Sequence, residues 1–306
     1  MAERSVEELA SVIIEQERKA LAIAFDAAMV SLKRPPERSI RAIDKNFIDA
    51  QAPGVRKHLH GMTAKLVHDA AEILDSMDQY AQAIQRILAA HEMLPMPLSS
   101  MVRSIHEFAL ILCPLFDPDL PPGERIANMG ALHLANAQGG LDALEAFPLN
   151  QQKERHKKIE AVAGIQEYMK KAGYEIHANK SKPHLATGVS WGAEKVSLRD
   201  NTTKASERYT PGIHYNWVLG SGATHGRLWY SNGLEGQWSM IVVGAVAPLL
   251  DISDLLVNIP LGYAGVDGRR LHLQTHTRRC ALLARTSPGM EMGTYDNYRA
   301  QTEESI

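Results

Sequence analysis

Apolar residues recur at helical spacing along most of this chain. The first stripe begins after Ser5, which forms the S-x-x-E spacing of a capping box with Glu8, and it continues up to Pro35. A second stripe starts near Thr63 and ends before Pro95. Because such spacing places one continuous apolar face against a core, both stripes predict long amphipathic helices.

A third helix is predicted at residues 99–115, and its second half, FALILC, is apolar on every side. A helix without a polar face belongs in the middle of a bundle. Further helices are predicted at residues 124–147, 151–173, 213–230, 238–256 and 270–285. The sequence therefore predicts an all-α fold, a multi-helix bundle built from long antiparallel helices.

Turn-forming residues interrupt the helical pattern ahead of the glycine-rich helix. The segments NKSKPHLATG and RDNTTKASERYTPG are rich in such residues and predict an irregular connection or lid. Four parts are thus expected: a helical bundle at residues 1–173, the irregular segment at 174–212, C-terminal helices on the same core at 213–286, and a polar tail at 287–306.

Composition places the chain among ordinary globular proteins. Its 306 residues are 45% hydrophobic and 22% charged, which excludes disorder of the whole chain. The formal net charge is -2, and the Lys and Arg residues are scattered. A dedicated duplex-DNA binder needs a basic surface, so that class of protein is disfavoured.

Three further patterns bear on location. Cys113 and Cys280 lie in apolar runs and are too few for a disulfide framework or a cysteine zinc site. The N-terminal residues carry acidic groups and no targeting pattern. The longest apolar run, at residues 240–250, is too short to span a bilayer. A cytoplasmic protein that does not enter a membrane is expected.

The stretch YNWVLGSGATHGRLWY, residues 215–230, places glycines, a serine and a histidine among large apolar residues. It has three interpretations: a dinucleotide-binding loop, a helix, or a strand and loop without a site. The dinucleotide loop requires a long helix after the glycines, and Asn232 and Gly233 break the chain too soon. The helix is the favoured interpretation.

On such a helix, one face carries Trp217, Ser221, Thr224, His225 and Leu228. Gly222 and Gly226 open a groove on another side. Each glycine costs about 0.5–1 kcal/mol relative to alanine in a helix, so a neighbouring element is expected to pack closely there. His225 then faces the core, either as a neutral imidazole held by hydrogen bonds or as a proton-transfer group.

Arg103 and Glu107 are four residues apart and share a face of the third helix. On a surface, such a pair contributes only about 0.3–0.5 kcal/mol. If the helix is central, an unpaired Glu107 costs several kcal/mol, and Arg103 is its natural bidentate partner. A structural ion pair and a role in a site both remain open.

Metal and cofactor sites are not predicted. His272 and His276 have the spacing that lets two imidazoles reach one metal ion, but neither the glutamate of H-E-x-x-H nor a third ligand accompanies them. The sequence around Ser221 lacks the G-x-S-x-G spacing of a serine nucleophile.

Two segments, MVRSIHEFALILCPLFDPDLPPGERI and YNWVLGSGATHG, resemble a group of uncharacterised bacterial all-helical proteins. They contain an R-x-x-x-E helix, an L-x-D-P turn, an E-R-I helix start and a late Tyr, Ser and His-Gly segment. The group is loosely similar to HEPN-like bundles, many of which are ribonucleases or nucleotide-handling proteins. The resemblance selects Arg103, Glu107, Asp117, Pro118, Arg125, Tyr215, Ser221, His225 and Gly226.

One feature of HEPN ribonucleases is missing from this sequence. Those enzymes carry an arginine shortly before a histidine, whereas LGSGAT precedes His225 and Arg227 follows it. The resemblance therefore does not extend to the ribonuclease motif.

The leading hypothesis is a bundle protein that handles a small molecule or a nucleotide. Arg103 would hold an anionic group, and Glu107 or His225 would act as general acid or base. Tyr215, Trp217 and Ser221 complete the predicted substrate-binding set.

Two alternatives stay open. The first is a non-enzymatic interaction module that forms a homodimer through its glycine face. The second is an RNA-directed nuclease or defence protein, which only the resemblance favours.

Overall fold

The computed structural model describes residues 5–92, 94–145, 152–198, 202–227 and 238–286. These residues form ten helices, linked in places by shorter helical turns, and one small sheet. The helices are α1 (Val6–Lys33), α2 (Ile40–Asp49), α3 (Pro53–Ala89), α4 (Pro95–Phe116), α5 (Pro122–Glu145), α6 (Gln152–Lys171), α7 (Thr202–Tyr209), α8 (His214–Thr224), α9 (Trp238–Leu256) and α10 (Arg269–Thr286). The predicted all-α, helical-bundle class is confirmed.

Two predicted helix ends are confirmed in detail. The Ser5 side chain accepts a hydrogen bond from the backbone N–H of Glu8, and the Glu8 carboxylate accepts one from the backbone N–H of Ser5. Gly173 follows α6 with a φ of 88°, a left-handed conformation that glycine adopts without strain. Local chemistry therefore sets both ends.

Helix α3 begins at Pro53, ten residues before the predicted start, and α2 was not predicted. Proline at the first helical positions is favourable because its missing N–H has no partner there in any case. The buried face of α2 consists of Ala42, Asp44 and Ile48. A carboxylate on that face hides the apolar periodicity by which a helix is recognised.

The predicted irregular segment contains regular structure. Three strands form an antiparallel sheet in the order β1-β2-β3: β1 (Tyr174–Ala178), β2 (Ala186–Trp191) and β3 (Glu194–Ser197). The sheet packs on α5 and α6. The Gln138 amide on α5 holds the backbone N–H and C=O of Ala186, so the sheet is fixed to the bundle.

Helix α4 lies in the middle of the bundle, as its apolar sequence predicts. It packs against α3, α5, α7, α8 and α9, while α9 and α10 also pack against α1. Leu98, Ala109 and Leu112 on α4 are fully buried. Cys113 is 1% exposed, and its thiol donates a hydrogen bond to the carbonyl of Ala109. The predicted tail at 287–306 lies outside the described residues.

A buried ion pair joins α2 to α5. The side chains of Asp44 and Arg125 are 6% and 4% exposed, and Arg125 Nε lies 2.9 Å from Asp44 Oδ2. Arg125 Nη1 donates to the carbonyl of Asp117 over 2.9 Å, and the Tyr263 hydroxyl donates to Asp44 Oδ2 over 3.0 Å. Asp117 and Arg125, which the family resemblance selects, thus meet in a structural junction.

Two helical segments of the described chain are long and apolar enough to cross a membrane by length and composition, Pro95–Phe116 and Ile241–Ala264. Within the bundle, 50% and 56% of their most apolar windows are buried. Core helices of soluble proteins have the same property, and the position of α4 at the centre of the bundle accords with it.

Candidate functional site

The glycine-rich stretch is helical where the structure describes it. Helix α8 covers His214–Thr224, and His225 follows it as the C-cap residue. Gly226 has a φ of 59° and ends the helix in a left-handed conformation. The helix interpretation is confirmed, and the strand-and-loop and dinucleotide-loop interpretations are wrong. The last residues of the predicted helix, 228–230, lie beyond the described part.

Helix α8 packs against α4 at Gly220. A Cβ added to Gly220 would lie 2.8 Å from the Cβ of Arg103 and 3.2 Å from the carbonyl oxygen of Ser99. Gly220 thus makes a close approach that was predicted for Gly222 and Gly226, and Gly222 is buried in the same helix. Gly226 would meet nothing within 4 Å.

Substitution of Gly220 by alanine is expected to lower the free energy of unfolding by about 1–3 kcal/mol, because the added methyl group overpacks the helix contact. Gly244 in α9 is the matched control, since a Cβ there would meet nothing within 4 Å. Gly244→Ala should stabilise the protein by about 0.5–1 kcal/mol through helix propensity. Urea unfolding measures both changes, and shifts of the same sign would contradict the packing argument.

The predicted pair of Arg103 and Glu107 is formed. Arg103 Nε lies 2.8 Å from Glu107 Oε1, and the arginine Cζ lies 4.9 Å from the ring centre of Trp217. The Trp217 ring stacks in turn on His214, with ring centres 6.0 Å apart. Because the Arg103 side chain is only 13% exposed, its guanidinium is held on one side by a carboxylate and on the other by an aromatic face.

His225 does not join this group. It is exposed at the end of α8, so the predicted inward-facing imidazole is wrong. Thr224 Oγ1 lies 3.5 Å from Ser100 Oγ, which places the end of α8 beside Ser100. Glu107 is seven residues further along α4, about 10 Å along the helix axis. The inward orientation was predicted from a continuous helical face, but α8 ends at Thr224, before His225.

Among the described residues, two other predicted site residues, Ser221 and Tyr215, make no hydrogen bond to Arg103. Ser221 is half-buried, and its carbonyl accepts the backbone N–H of His225. Tyr215 is 60% exposed on the outer side of α8. Of the predicted set, the structure brings together Arg103, Glu107 and Trp217.

A buried chain of polar side chains, which the sequence analysis missed, links α4, α7 and α8. His106 Nε2 lies 2.7 Å from Thr210 Oγ1, and Ser206 Oγ lies 3.2 Å from the same hydroxyl. His214 Nδ1 lies 3.0 Å from Ser206 Oγ. Burial lowers the pKa of His106 to about 4, and the nearby His214 adds to the effect. The His106 imidazole is therefore neutral at pH 7.

The polar chain borders an open cleft of about 310 Å³. One wall is the segment 209–213, which includes the 3₁₀ turn Pro211–Ile213. The opposite wall carries Asp251, Asp254 and Asn258 from α9 and the π-helical turn that follows it, Val257–Leu261. π-helical turns inside helices are frequent at functional sites.

An arginine and a histidine from α10 hold the two carboxylates of the cleft. Arg279 Nη2 lies 2.8 Å from Asp251 Oδ1 and 2.6 Å from Asp254 Oδ2. His272 Nδ1 lies 2.8 Å from the other oxygen of Asp254, and its Nε2 lies 2.8 Å from Asn258 Oδ1. All three polar groups of this wall, Asp251, Asp254 and Asn258, are thus ordered by direct contacts with His272 or Arg279.

Burial raises the pKa of Asp251, and the negative charge of Asp254 adds to the increase, while Arg279 opposes it. The Asp251 carboxyl keeps its proton to a higher pH than an ordinary aspartate does. Its side chain is 40% exposed and lines the cleft, so it can exchange a proton with a molecule bound there.

His272 and His276, which have the spacing of a metal-binding pair, contact other groups. His272 binds Asp254 and Asn258, and His276 Nε2 lies 3.7 Å from Cys280 Sγ. In the part of the chain that the structure describes, no group of three or more potential ligands could hold a metal ion.

The sequence of α9 contains a signal for this cleft. In LLDISDLL, two aspartates three residues apart interrupt an apolar run and share a helix face. Comparisons with known proteins add no relative, because no family model, no curated protein and no solved structure matches the chain.

Proposed function

We propose that this protein binds a small polar molecule in the cleft between the segment 209–213 and α9, and that Asp251 exchanges a proton with it. The observation that carries the proposal is the pair of carboxylates, Asp251 and Asp254, which one arginine orders at the wall of an open cleft. Ordered carboxylates with unequal environments are a common basis of acid–base chemistry.

The charge of the cleft narrows the ligand class. Two carboxylates face one guanidinium, so the wall is negative overall and favours amines and hydroxyl groups over phosphate. Arg103, expected to hold an anionic group, is bonded to Glu107 and covered by Trp217 instead. A polyol or an amine therefore suits the cleft better than a nucleotide phosphate.

The opposite wall of the cleft is held rigidly. The Tyr209 hydroxyl donates to Asp117 Oδ2 over 3.0 Å, and the Thr210 hydroxyl is bonded to His106. Helix α4 thus fixes the wall without reaching the ligand, which reduces the ordering needed on binding.

Asp251→Asn tests the proposal. Wild-type protein would be screened by thermal unfolding against small amines, polyols, sugars and nucleosides, each paired with its phosphorylated counterpart where one exists. A ligand at about 100 times its Kd should raise the unfolding midpoint by about 5 °C. We expect Asp251→Asn to abolish this increase, because the amide cannot carry the negative charge.

Asp119→Asn is the control, since Asp119 is exposed and lies outside the cleft. It should respond to ligand as the wild type does. If phosphorylated compounds alone stabilise the protein, or if Asp251→Asn responds fully, the cleft is not the binding site.

A homodimeric interaction module is the second candidate. Tyr215, Val218 and Leu219 form an apolar face on α8 and are 60%, 45% and 39% exposed. Apolar patches of this kind mark contact surfaces, and homodimers are the commonest oligomers. Sedimentation that shows a monomer at all concentrations would exclude this candidate.

A cytoplasmic location belongs to the same proposal. Both cysteines, Cys113 and Cys280, are free thiols, as in proteins of reducing compartments.

A further inference from the structure

We propose that a second, apolar cavity of the bundle binds an amphiphile, a molecule with a hydrocarbon body and a cationic head. The cavity has a volume of about 340 Å³ and lies between α1, α3 and α9, with Ile105 of α4 at its base. It is separate from the acid–base cleft, because the two spaces share no lining residue. This inference goes beyond the proposed function.

The inner part of the cavity is apolar. Ile14, Met77, Ile105 and Leu250 line it and are themselves 3%, 6%, 4% and 1% exposed, so the space reaches into the core. Burial of hydrocarbon there is favourable at about 25 cal/mol per Å² of apolar surface removed from water. Volumes of about 300–1,000 Å³ are typical of small-molecule sites.

Two ion pairs neutralise part of the polar lining. Arg18 donates two hydrogen bonds to Asp78, from Nε to Oδ1 over 2.7 Å and from Nη2 to Oδ2 over 2.6 Å. Glu17 is buried and paired with Arg278, whose Nη1 lies 2.6 Å from Glu17 Oε2. Neither pair leaves a net charge in the cavity.

Two carboxylates at the mouth remain uncompensated. Asp26 and Asp75 line the cavity and are exposed, and among the described residues neither makes an ion pair. Asp75 accepts a hydrogen bond only from the neutral amide of Gln79. An apolar interior behind an acidic mouth is complementary to an alkyl chain that ends in an ammonium group.

Calorimetric titration with octyltrimethylammonium and octyl sulfate, both below their micellar concentrations and at low salt, tests the charge preference. We expect the cation to bind at least about ten times more tightly than the anion. In a series from hexyl to decyl, each added methylene should strengthen binding by about fourfold until the cavity is full. Asp26→Asn should reduce the preference for the cation, and Asp119→Asn should not.

A pair of exposed alanines on α1 locates the site. Ala22 lines the cavity and Ala27 does not, and both are exposed, so neither Phe substitution threatens the fold. Ala22→Phe should weaken octyltrimethylammonium binding at least about tenfold by filling the mouth, while Ala27→Phe should leave the affinity unchanged. Circular dichroism confirms that both variants are folded.

Three results would overturn the proposal. Equal affinity for octyl sulfate and octyltrimethylammonium would show that the cavity does not prefer a cationic head group. Equal effects of Ala22→Phe and Ala27→Phe would place binding elsewhere. Concentration-dependent self-association that Ala22→Phe abolishes would show that a second copy of the chain, not a small amphiphile, occupies the cavity.

Discussion

Replacement of Asp44 by alanine is expected to lower the free energy of unfolding by about 3–5 kcal/mol. The change leaves the guanidinium of Arg125, which is 4% exposed, without the carboxylate that it contacts through Nε and Nη2. It also removes the acceptor of the Tyr263 hydroxyl. A buried charge and a buried hydroxyl that lose their partners are both expensive, so the junction of α2 with α5 should loosen.

Urea unfolding at neutral pH measures the loss, and Asp49→Ala is the matched control on the same helix. The Asp49 side chain is 38% exposed and pairs with Lys45 and His60, which are themselves partly exposed, so its replacement should change stability little. The double variant Asp44→Leu with Arg125→Met should recover part of the loss, because no buried charge remains. Equal effects of Asp44→Ala and Asp49→Ala would refute a structural role for the buried pair.

The second large effect concerns pH and His106. The pKa of His106 is lowered from 6.5 to about 4 in the folded protein, because its burial disfavours the charged imidazole. Between these values the unfolded chain binds a proton that the folded chain does not. Stability contributed by the neutral imidazole is therefore present above pH 6.5 and is lost as the pH falls towards 4. The full loss is about 3 kcal/mol.

The variant His106→Gln isolates this effect, since glutamine can still bond Thr210 and does not titrate. Between pH 7 and pH 4, the free energy of unfolding should fall in both proteins. The fall should be about 3 kcal/mol smaller in His106→Gln than in the wild type. His156→Gln, at an exposed position, should keep the wild-type slope. Burial also lowers the pKa of His133, so some acid sensitivity should persist in His106→Gln. Parallel pH profiles for wild type and His106→Gln would contradict a neutral, buried His106.

The sequence was sufficient for elements whose information is local. The capping box at Ser5, the glycine after α6 and the apolar circumference of α4 each specify a helix end or position through neighbouring residues. Helix α2 and the sheet were not foreseen for the opposite reason. The buried Asp44 of α2 is paired with Arg125, and Ala186 of β2 is bonded to Gln138. Both partners lie far away in the sequence, so local patterns do not specify α2 or the sheet.

The candidate site shows the same limit. The pair Arg103–Glu107 spans one helical turn and was predicted correctly. The exposed position of His225 depends on where α8 ends, and element ends are poorly determined by periodicity alone. The acid–base cleft requires Arg279 of α10 to meet two aspartates of α9, a contact that no local pattern encodes.

The different burial of the two thiols makes their chemical modification a measure of whether the bundle is closed or open. Cys113 is 1% exposed near the C-terminal end of α4, and burial also raises the pKa of its thiol, so alkylating reagents react little with it in the closed bundle. Cys280 is half-buried near the last described helix end and is reached more readily. Modification of Cys280 alone is therefore compatible with a closed bundle, whereas modification of Cys113 marks a molecule whose core has opened.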